Sequence, residues 1–93
     1  DVSANTNLTS LLCGANQITS LDVSSNKSLA ALDCSRNKLY SLDIKNGNNI
    51  NMWWAQTVTN PDLSCINVDD EKWSTINWTA IDKEHYFRNN CSK

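Results

Sequence analysis

Glycine and proline are scarce in this 93-residue sequence, which has two glycines and one proline. The glycines, Gly14 and Gly47, lie far apart, so no glycine-rich loop is available to hold a phosphate group. No run of about 18 apolar residues occurs, and this absence excludes a transmembrane helix. The formal net charge of −2 favours neither a nucleic acid nor an anionic membrane as a partner.

Residue patterns that indicate catalysis are also missing. The only histidine is His85, and Ser74 and Asp82 form no recognised nucleophile motif with it. The acidic stretch at 69–71 lacks the spacing of a calcium-binding EF-hand loop. We therefore expect no enzyme, no cofactor and no metal site.

An internal repeat with a period of 21 residues organises the chain instead. Segment 29–49 aligns with segment 8–28, with seven of 21 positions identical and two conservative. A period in the twenties predicts a solenoid, whose units bury their apolar faces against their neighbours. The identical pairs are Leu8/Leu29, Leu11/Leu32, Cys13/Cys34, Asn16/Asn37, Ser20/Ser41, Leu21/Leu42 and Asp22/Asp43, and the conservative pairs are Ile18/Leu39 and Val23/Ile44.

Each repeat contains two short segments in which apolar and polar residues alternate. In the second repeat these segments surround positions 32–34 and 42–44. A period of two residues predicts short strands with one buried face, and no stretch between them is long enough for an ordinary helix. We expect two strands for each repeat, on opposite sides of a thin and mostly extended coil.

The repeat reads L-x-x-L-x-C-x-x-N-x-[IL]-x-x-L-x-[VI] and resembles the leucine-rich repeat, whose signature is L-x-x-L-x-L-x-x-N-x-L. It is most similar to the 21-residue bacterial class, except that Cys13 and Cys34 stand where a leucine is usual. The match covers residues 1 to roughly 57. The resemblance implies a leucine-rich-repeat solenoid, α/β by convention, with mostly short parallel strands, little helix and a small C-terminal cap.

The predicted organisation has two parts. Residues 1–60 form the repeats, with a partial first repeat at 1–7, full repeats at 8–28 and 29–49, and a degenerate last repeat from 50. Residues 61–93 form the cap. Because residues 1–7 align with 22–28, we expect this chain to be the C-terminal end of a longer array, with upstream repeats in the same polypeptide.

The repeated asparagine has a structural role in this prediction. Asn16 and Asn37 follow the first strand of each repeat, where the chain turns away. A side-chain amide has both donors and an acceptor, so it can bond backbone groups of its own coil and of the next. Unpaired, each of those buried backbone groups would cost about 1–3 kcal/mol. We expect an asparagine ladder.

The third repeat departs from the pattern when the 21-residue period is kept. The ladder is then predicted to end at Val58, and Trp53 to cap the core. Segment 63–65 matches 42–44, and the register is lost after Cys65. The residues that replace the leucine, leucine, cysteine and asparagine of the repeat are Ile50, Trp53, Ala55 and Val58.

The cap is predicted to contain a short helix over 71–76, with Asp69 or Asp70 as its N-cap. The run NPDLSCINVDD…WSTINWTAID…C looks like the C-terminal cap of secreted leucine-rich-repeat proteins from Bacteroidetes-type bacteria. That resemblance implies a Cys65–Cys91 disulfide and a secreted or bacterial cell-surface location, since disulfides persist in oxidising compartments. The apolar residues expected to cover the end of the core are Trp73, Ile76, Trp78, Ile81, Tyr86 and Phe87.

The other two cysteines, Cys13 and Cys34, hold the same repeat position one coil apart. We expect them to be buried, where cysteine packs as a small hydrophobic residue. Stacking in register does not favour disulfide geometry, so both are predicted to be free structural thiols.

The predicted concave face is the candidate binding surface. Exposed aromatic residues anchor many protein interfaces, so Trp54 indicates a protein contact; stacking on a sugar ring and folding under the cap remain alternatives. Leu12 and Met52 are also expected to expose apolar surface there. The three columns are Ser10, Leu12 and Gly14; Ala31, Asp33 and Ser35; and Met52, Trp54 and Gln56. The candidate binding residues are Leu12, Asp33, Ser35, Met52, Trp54 and Gln56.

The opposite strands place Asp1, Asp22 and Asp43 in one column that ends at Ser64. We expect each aspartate to accept backbone N–H bonds in its own turn, while a bound cation remains the alternative. Overall, the sequence predicts a noncatalytic protein-binding or scaffolding module with a protein partner. The alternatives are a carbohydrate-binding module that takes a glycan on Trp54, and a purely structural segment that only terminates the array.

Overall fold

The computed structural model of the chain describes residue 2 and residues 4–91. Within these residues the structure is small and α/β, with parallel strands and little helix, as predicted. The strands are β1 (Ser10–Leu12), β2 (Ser20–Asp22), β3 (Ala31–Asp33), β4 (Ser41–Asp43), β5 (Trp54–Gln56), β6 (Cys65–Asn67) and β7 (Tyr86–Arg88); the helices are a 3-10 turn (Asn49–Asn51) and α1 (Glu71–Asn77).

The chain alternates between two parallel sheets. The first sheet has the order β1-β3-β5 and the second has the order β2-β4-β6-β7. One passage through a strand of each sheet is called a coil below. Beyond the third coil, Ala80 forms an isolated parallel bridge with Gln56, and β7 then adds a last strand to the second sheet.

The hydrophobic core lies between the two sheets. The middle residue of each strand joins it, because successive side chains of a strand point to opposite faces. These residues are Leu11, Leu32 and Ala55 in the first sheet, and Leu21, Leu42, Ile66 and Phe87 in the second.

The third coil has a different register from the predicted one. Strand pairing sets Ala55 opposite Leu32 and Gln56 opposite Asp33, so the offset is 23 residues rather than 21. The 3-10 turn lies just before this strand and accommodates the two extra residues. Met52 therefore takes the core position of Leu29, and its exposed fraction is 0%. The prediction that Met52 is exposed is wrong.

The same shift overturns the predicted role of Trp53. Its side chain is 75% exposed and does not cap the core. The core position opposite Leu32 is filled by Ala55 instead. In the register observed, Trp54 lies beside Ala31 on the outer face of the first sheet.

The second sheet also continues further than predicted. Leu42 pairs with Ile66 and Asp43 pairs with Asn67, so segment 63–65 does not match segment 42–44. The aspartate column consequently meets Asn67 rather than Ser64. The register is not lost after Cys65, because Phe87 pairs with Ile66 in the next strand.

A buried asparagine ladder joins the coils at the turns after the first sheet. Nδ2 of Asn37 donates to the carbonyl oxygens of Cys13, Cys34 and Ser35 at 3.1, 3.0 and 3.1 Å. Oδ1 of Asn37 accepts the backbone N–H of Ile18 at 3.1 Å. Each buried asparagine thus bonds two coils at once. By contrast, Asn16 was predicted to belong to the ladder but is exposed, and within the described residues it bonds only carbonyl oxygens of its own turn.

The ladder does not end at Val58 as predicted, because Asn60 continues it. Nδ2 of Asn60 donates to the carbonyl oxygens of Cys34 and Thr57 at 3.0 and 2.9 Å. Its Oδ1 accepts the backbone N–H of Leu39 at 3.1 Å. The offset between Asn37 and Asn60 is again 23 residues, in agreement with the strand register.

A second set of buried asparagines lies at the turns after the second sheet. Nδ2 of Asn26 donates to the carbonyl oxygens of Val2 and Asn5, and Nδ2 of Asn46 donates to that of Asn26, all at 2.9 Å. Asn49 is also buried and bonds the carbonyl oxygen of Ile44 at 2.8 Å. The sequence analysis did not assign these residues a role.

The cap packs against the last coil through helix α1 and β7. Asp70 is the N-cap of α1, as predicted, and accepts the N–H groups of Lys72 and Trp73. The other candidate, Asp69, instead accepts the N–H groups of Gly47 and Asn49.

The predicted apolar cover of the core is correct in part. Trp78 and Phe87 are buried, and Trp73 and Ile81 pack partly against the core. The prediction is wrong for Ile76, which is 76% exposed, and for Tyr86, which is also exposed. Both side chains lie on the solvent side of short elements whose opposite face already fills the end of the core.

The predicted disulfide between Cys65 and Cys91 is present and closes a sequence separation of 26 residues. It fixes the chain that follows β7 to the start of β6. Within the described residues, no helix has the length and apolar character needed to cross a membrane.

The Asn37→Ala substitution tests whether the ladder stabilises the fold. We expect it to lower the free energy of unfolding by about 2–4 kcal/mol, because it leaves buried backbone groups of two coils unpaired. The matched control is Asn16→Ala, for which we expect a loss below about 1 kcal/mol because water can replace its exposed bonds. Urea denaturation measures both, and equal losses would contradict a special role for the buried amide.

Candidate functional site

The outer face of the first sheet carries most of the predicted binding residues. Strand pairing places Leu12, Asp33 and Gln56 in one row across the sheet. Trp54 lies in the neighbouring row beside Ala31. The predicted residues of the first two coils therefore lie side by side. Those of the third coil are shifted by two positions from the predicted alignment, because this coil has two extra residues.

Two of the predicted binding residues do not offer a free surface. Met52 lies in the core, and Ser35 is buried with its hydroxyl bonded to Oδ1 of Asp33 at 2.7 Å. Leu12 is 67% exposed, and Asp33, Trp54 and Gln56 are half-buried. The surface available for binding is smaller than the sequence analysis indicated.

Trp53 and Trp54 form a stacked pair of indole rings. Their ring centroids are 6.0 Å apart and the ring planes differ by 22°. Trp53 is the more exposed of the two, and the sequence analysis assigned it to the core rather than to the surface. Two adjacent tryptophans in the sequence indicate an aromatic surface, but the 21-residue register predicts a core position for Trp53.

An open groove of about 420 Å³ lies where the strands of the first sheet end. Ala15 and Arg36 on its rim have left-handed backbone conformations, with φ of 59° and 56°, which turn the chain after β1 and β3. The remaining lining residues are Leu12, Gly14, Asp33, Ser35 and Gln56.

The second sheet carries the aspartate column. Asp1 lies outside the described residues. Asp22 accepts the N–H and the hydroxyl of Ser24, and Asp43 accepts the N–H of Lys45 at 3.0 Å. Burial, followed by the negative charges of Asp22 and Asp69, raises the pKa of Asp43 despite the N–H bond from Lys45. These bonds are those expected of aspartates that stabilise their own turns.

A buried hydrogen-bonded cluster ends the ladder at the cap. Nδ1 of His85 lies 3.0 Å from Oγ1 of Thr57, and Nε2 lies 3.1 Å from the carbonyl oxygen of Asn60 and 3.2 Å from Oδ2 of Asp82. A hydroxyl, an imidazole and a carboxylate in contact resemble a catalytic triad. However, Thr57 and His85 are both buried, so no substrate can reach the hydroxyl.

The bonds of His85 assign its neutral Nε2–H tautomer. Nδ1 accepts the backbone N–H of Asp82 at 3.2 Å and the hydroxyl of Thr57, so it carries no proton. Nε2–H then donates to the carbonyl oxygen of Asn60. His85 thus joins the backbone of Asn60, the last ladder residue, and the side chain of Thr57 to the cap.

Asp82 completes the same cluster. Its two carboxylate oxygens accept the backbone N–H groups of Thr59 and Asn60 at 2.8 and 3.0 Å. Burial by itself would raise the pKa of Asp82, but these two donors hold it below its usual value. Ligand atoms of Asp82, Glu84 and His85 also lie within 4.8 Å of one another. Because Asp82 and His85 already use these atoms in the fold, this set offers no open metal site.

The two remaining cysteines, Cys13 and Cys34, are free thiols; Cys34 is buried as predicted, whereas Cys13 is only partly buried, contrary to the prediction. Burial, with smaller contributions from Cys13 and the charge of Asp33, raises the pKa of Cys34 to about 12. Burial and Asp33 also raise the pKa of Cys13. A thiol reacts as its thiolate, so both residues suit packing rather than chemistry.

No protein-family model, no curated protein and no solved structure matches the chain. The resemblance to leucine-rich repeats therefore rests on the repeat and cap motifs and on an architecture that is compatible with them.

The thiols give the first prediction for this part of the molecule. At pH 8 about one in ten thousand Cys34 side chains would be ionised, so Ellman's reagent should leave Cys34 unmodified in the native protein. In guanidinium we expect two reactive thiols, and four after reduction of the disulfide. Native Cys34 that reacts as fast as Cys13 would contradict the burial described here.

The Asp82→Asn substitution tests the cluster through its pH dependence. Because the folded-state pKa of Asp82 is lowered, its stabilisation is present above the unfolded value of about 3.9 and is lost as the pH falls through the folded-state pKa. We expect the variant to be less stable by about 1–2 kcal/mol at pH 7 and the deficit to shrink below about pH 4. Urea denaturation from pH 7 to pH 2.5 measures this difference.

A matched control for Asp82 is Asp62→Asn, which changes an exposed carboxylate nearby in the sequence. The raised pKa of Asp43 has the opposite effect, since its stabilisation is lost as the pH rises. Asp43 is unchanged in both variants, so its contribution cancels in the difference between their free energies of unfolding. A deficit for Asp82→Asn that is independent of pH would show that the carboxylate charge has no part in the cluster.

Proposed function

We propose that this chain is a noncatalytic protein-binding and scaffolding module of the leucine-rich-repeat type. The observation that carries the proposal is the stacked Trp53–Trp54 pair beside the outer face of the first sheet. Trp53 is 75% exposed although it is one of the largest apolar side chains in the chain. Tryptophan is enriched among the residues that dominate binding energy at protein interfaces.

The leucine-rich-repeat assignment draws support from three features. Strands alternate between two parallel sheets, with one strand of each sheet in every coil. Apolar residues of the repeat fill the core between them. The buried amides of Asn37 and Asn60 bond neighbouring coils, which is the role that the repeat signature assigns to its asparagine. Together these features support a solenoid that ends in a disulfide-closed cap.

Burial at the β1 and β2 edge supports the proposal that further repeats stack there. Leu32 and Cys34 in the second coil are 0% exposed, whereas the equivalent Leu11 and Cys13 in the first coil are only partly buried. Another coil of the same kind would cover these side chains, as neighbouring units do in a solenoid. We propose that these upstream repeats belong to the same polypeptide.

The proposed location is secreted or at a bacterial cell surface. The Cys65–Cys91 disulfide supports it, because disulfides persist in oxidising environments. A noncatalytic role is supported by His85, whose ring nitrogens both serve the fold.

Carbohydrate binding on Trp54 is the second candidate. The exposure of Trp53 favours it, because the flat apolar face of an indole that the stacked pair leaves open can pack against the C–H face of a sugar. The same surface also suits an apolar segment of a protein, and Leu12 adds exposed apolar area to the outer face of the sheet. Protein binding is therefore the leading proposal.

A double substitution, Trp53→Ala with Trp54→Ala, tests the proposal. Extracellular proteins of the source organism would be passed over immobilised wild-type chain, and each retained protein would be produced separately. Surface plasmon resonance would then measure its affinity. We expect the double variant to bind at least about 30-fold more weakly, as for the loss of a dominant interface residue.

The matched control is Tyr40→Ala, which removes another exposed aromatic ring just before β4 of the second sheet. We expect it to retain wild-type affinity. The protein-binding proposal fails if no protein is retained, or if Tyr40→Ala and the double variant weaken binding equally. Glycan binding that the double variant alone loses would support the second candidate instead.

A further inference from the structure

The groove at the ends of β1, β3 and β5 contains polar groups that the fold does not use. Oδ1 of Asp33 accepts the N–H and hydroxyl of Ser35, but no bond to the other oxygen is present among the described residues. The guanidinium of Arg36 and the side-chain amide of Gln56 likewise have no partner in the described part of the chain. Asp33, Arg36 and Gln56 therefore line one open groove of about 420 Å³.

Gly14 allows close packing at one side of this groove. A Cβ atom at this position would lie 3.2 Å from Oγ of Ser35 and 3.4 Å from Oδ1 of Asp33, which is tighter than an ordinary contact. A side chain at position 14 would therefore crowd these two groups. Leu12, which is 67% exposed, adds apolar surface to the lining.

The chemistry of the lining groups narrows the class of ligand. Arg36 is the one cationic residue in the lining, so the groove lacks the several positive charges that a phosphate-rich ligand requires. Leu12 is the one large apolar residue there, so an oily ligand would find little contact. Carboxylate, guanidinium and amide groups are planar and make paired hydrogen bonds, which match adjacent hydroxyl groups.

We propose that this groove binds a saccharide, with Asp33 and Gln56 accepting from its hydroxyl groups and Arg36 and Gln56 donating to them. Leu12 would contact the C–H surface of the sugar ring. This site is separate from the Trp53–Trp54 pair on which the protein-binding function rests, because neither indole lines the groove. The groove therefore adds a second binding activity to the same end of the chain.

Glycan binding by groove variants tests this proposal. Fluorescently labelled protein would be applied to an array of immobilised neutral and acidic glycans. The methyl glycoside of the terminal sugar of each bound glycan would then be titrated into the protein and followed by NMR. The variants are Gln56→Ala, which removes a polar group of the lining, and Gly14→Ala, whose Cβ would crowd Ser35 and Asp33 in the groove. Thermal denaturation would confirm that each variant is folded.

We expect the wild-type chain to bind at least one glycan, and both groove variants to bind its methyl glycoside about 3- to 10-fold more weakly. The matched control is Gln17→Ala, which removes an exposed glutamine outside the groove and should leave binding unchanged. Amide signals of Gly14 and Asp33 should move during the titration.

Three outcomes would overturn the proposal. They are the absence of any bound glycan, equal losses of affinity for Gln56→Ala and Gln17→Ala, and glycan binding that the double tryptophan variant loses but Gln56→Ala retains. The last outcome would assign the sugar to the indole pair. Failure of the protein-binding function is recognised separately, since it concerns a retained protein and the tryptophan variants only.

Discussion

The buried side-chain amides of Asn37 and Asn60 are the interaction on which the other features depend. Each strand has only three residues, so regular backbone pairing joins neighbouring coils over a short length. The amides donate to carbonyl oxygens of two coils and accept an N–H of the preceding one. They satisfy backbone groups at the turns that follow the strands of the first sheet. The outer face of the first sheet is displayed on coils whose spacing these bonds fix.

The repeat was sufficient to predict short parallel strands, the buried leucines and Asn37 as a ladder residue. It could not locate the two extra residues of the third coil, because the 21-residue period fitted Trp53 to a leucine position. Hydrogen bonding decides the question in favour of Asn60, since a polar amide can satisfy backbone groups that Val58 cannot. The buried asparagines of the second sheet were overlooked because asparagine is common throughout the chain.

The candidate site was predictable only where the period holds. Leu12 and Asp33 lie in regular coils, and their outward position follows from strand alternation. Trp53, in contrast, becomes a surface residue through the insertion, and Arg36, whose backbone is left-handed, lines the groove. Neither effect has a signature in residue spacing. The Thr57–His85–Asp82 cluster is likewise a product of tertiary packing between the third coil and the cap.

Hydrogen exchange of the asparagine side-chain amides, followed by NMR, tests the ladder most directly. The account predicts slow exchange at Nδ2 of Asn37 and Asn60, where the amides are buried and bonded to two coils. Exposed Asn16 should exchange much faster. Exchange at Asn60 as fast as at Asn16 would contradict the account, because the ladder would then end before the third coil and the 23-residue register would lose its main support.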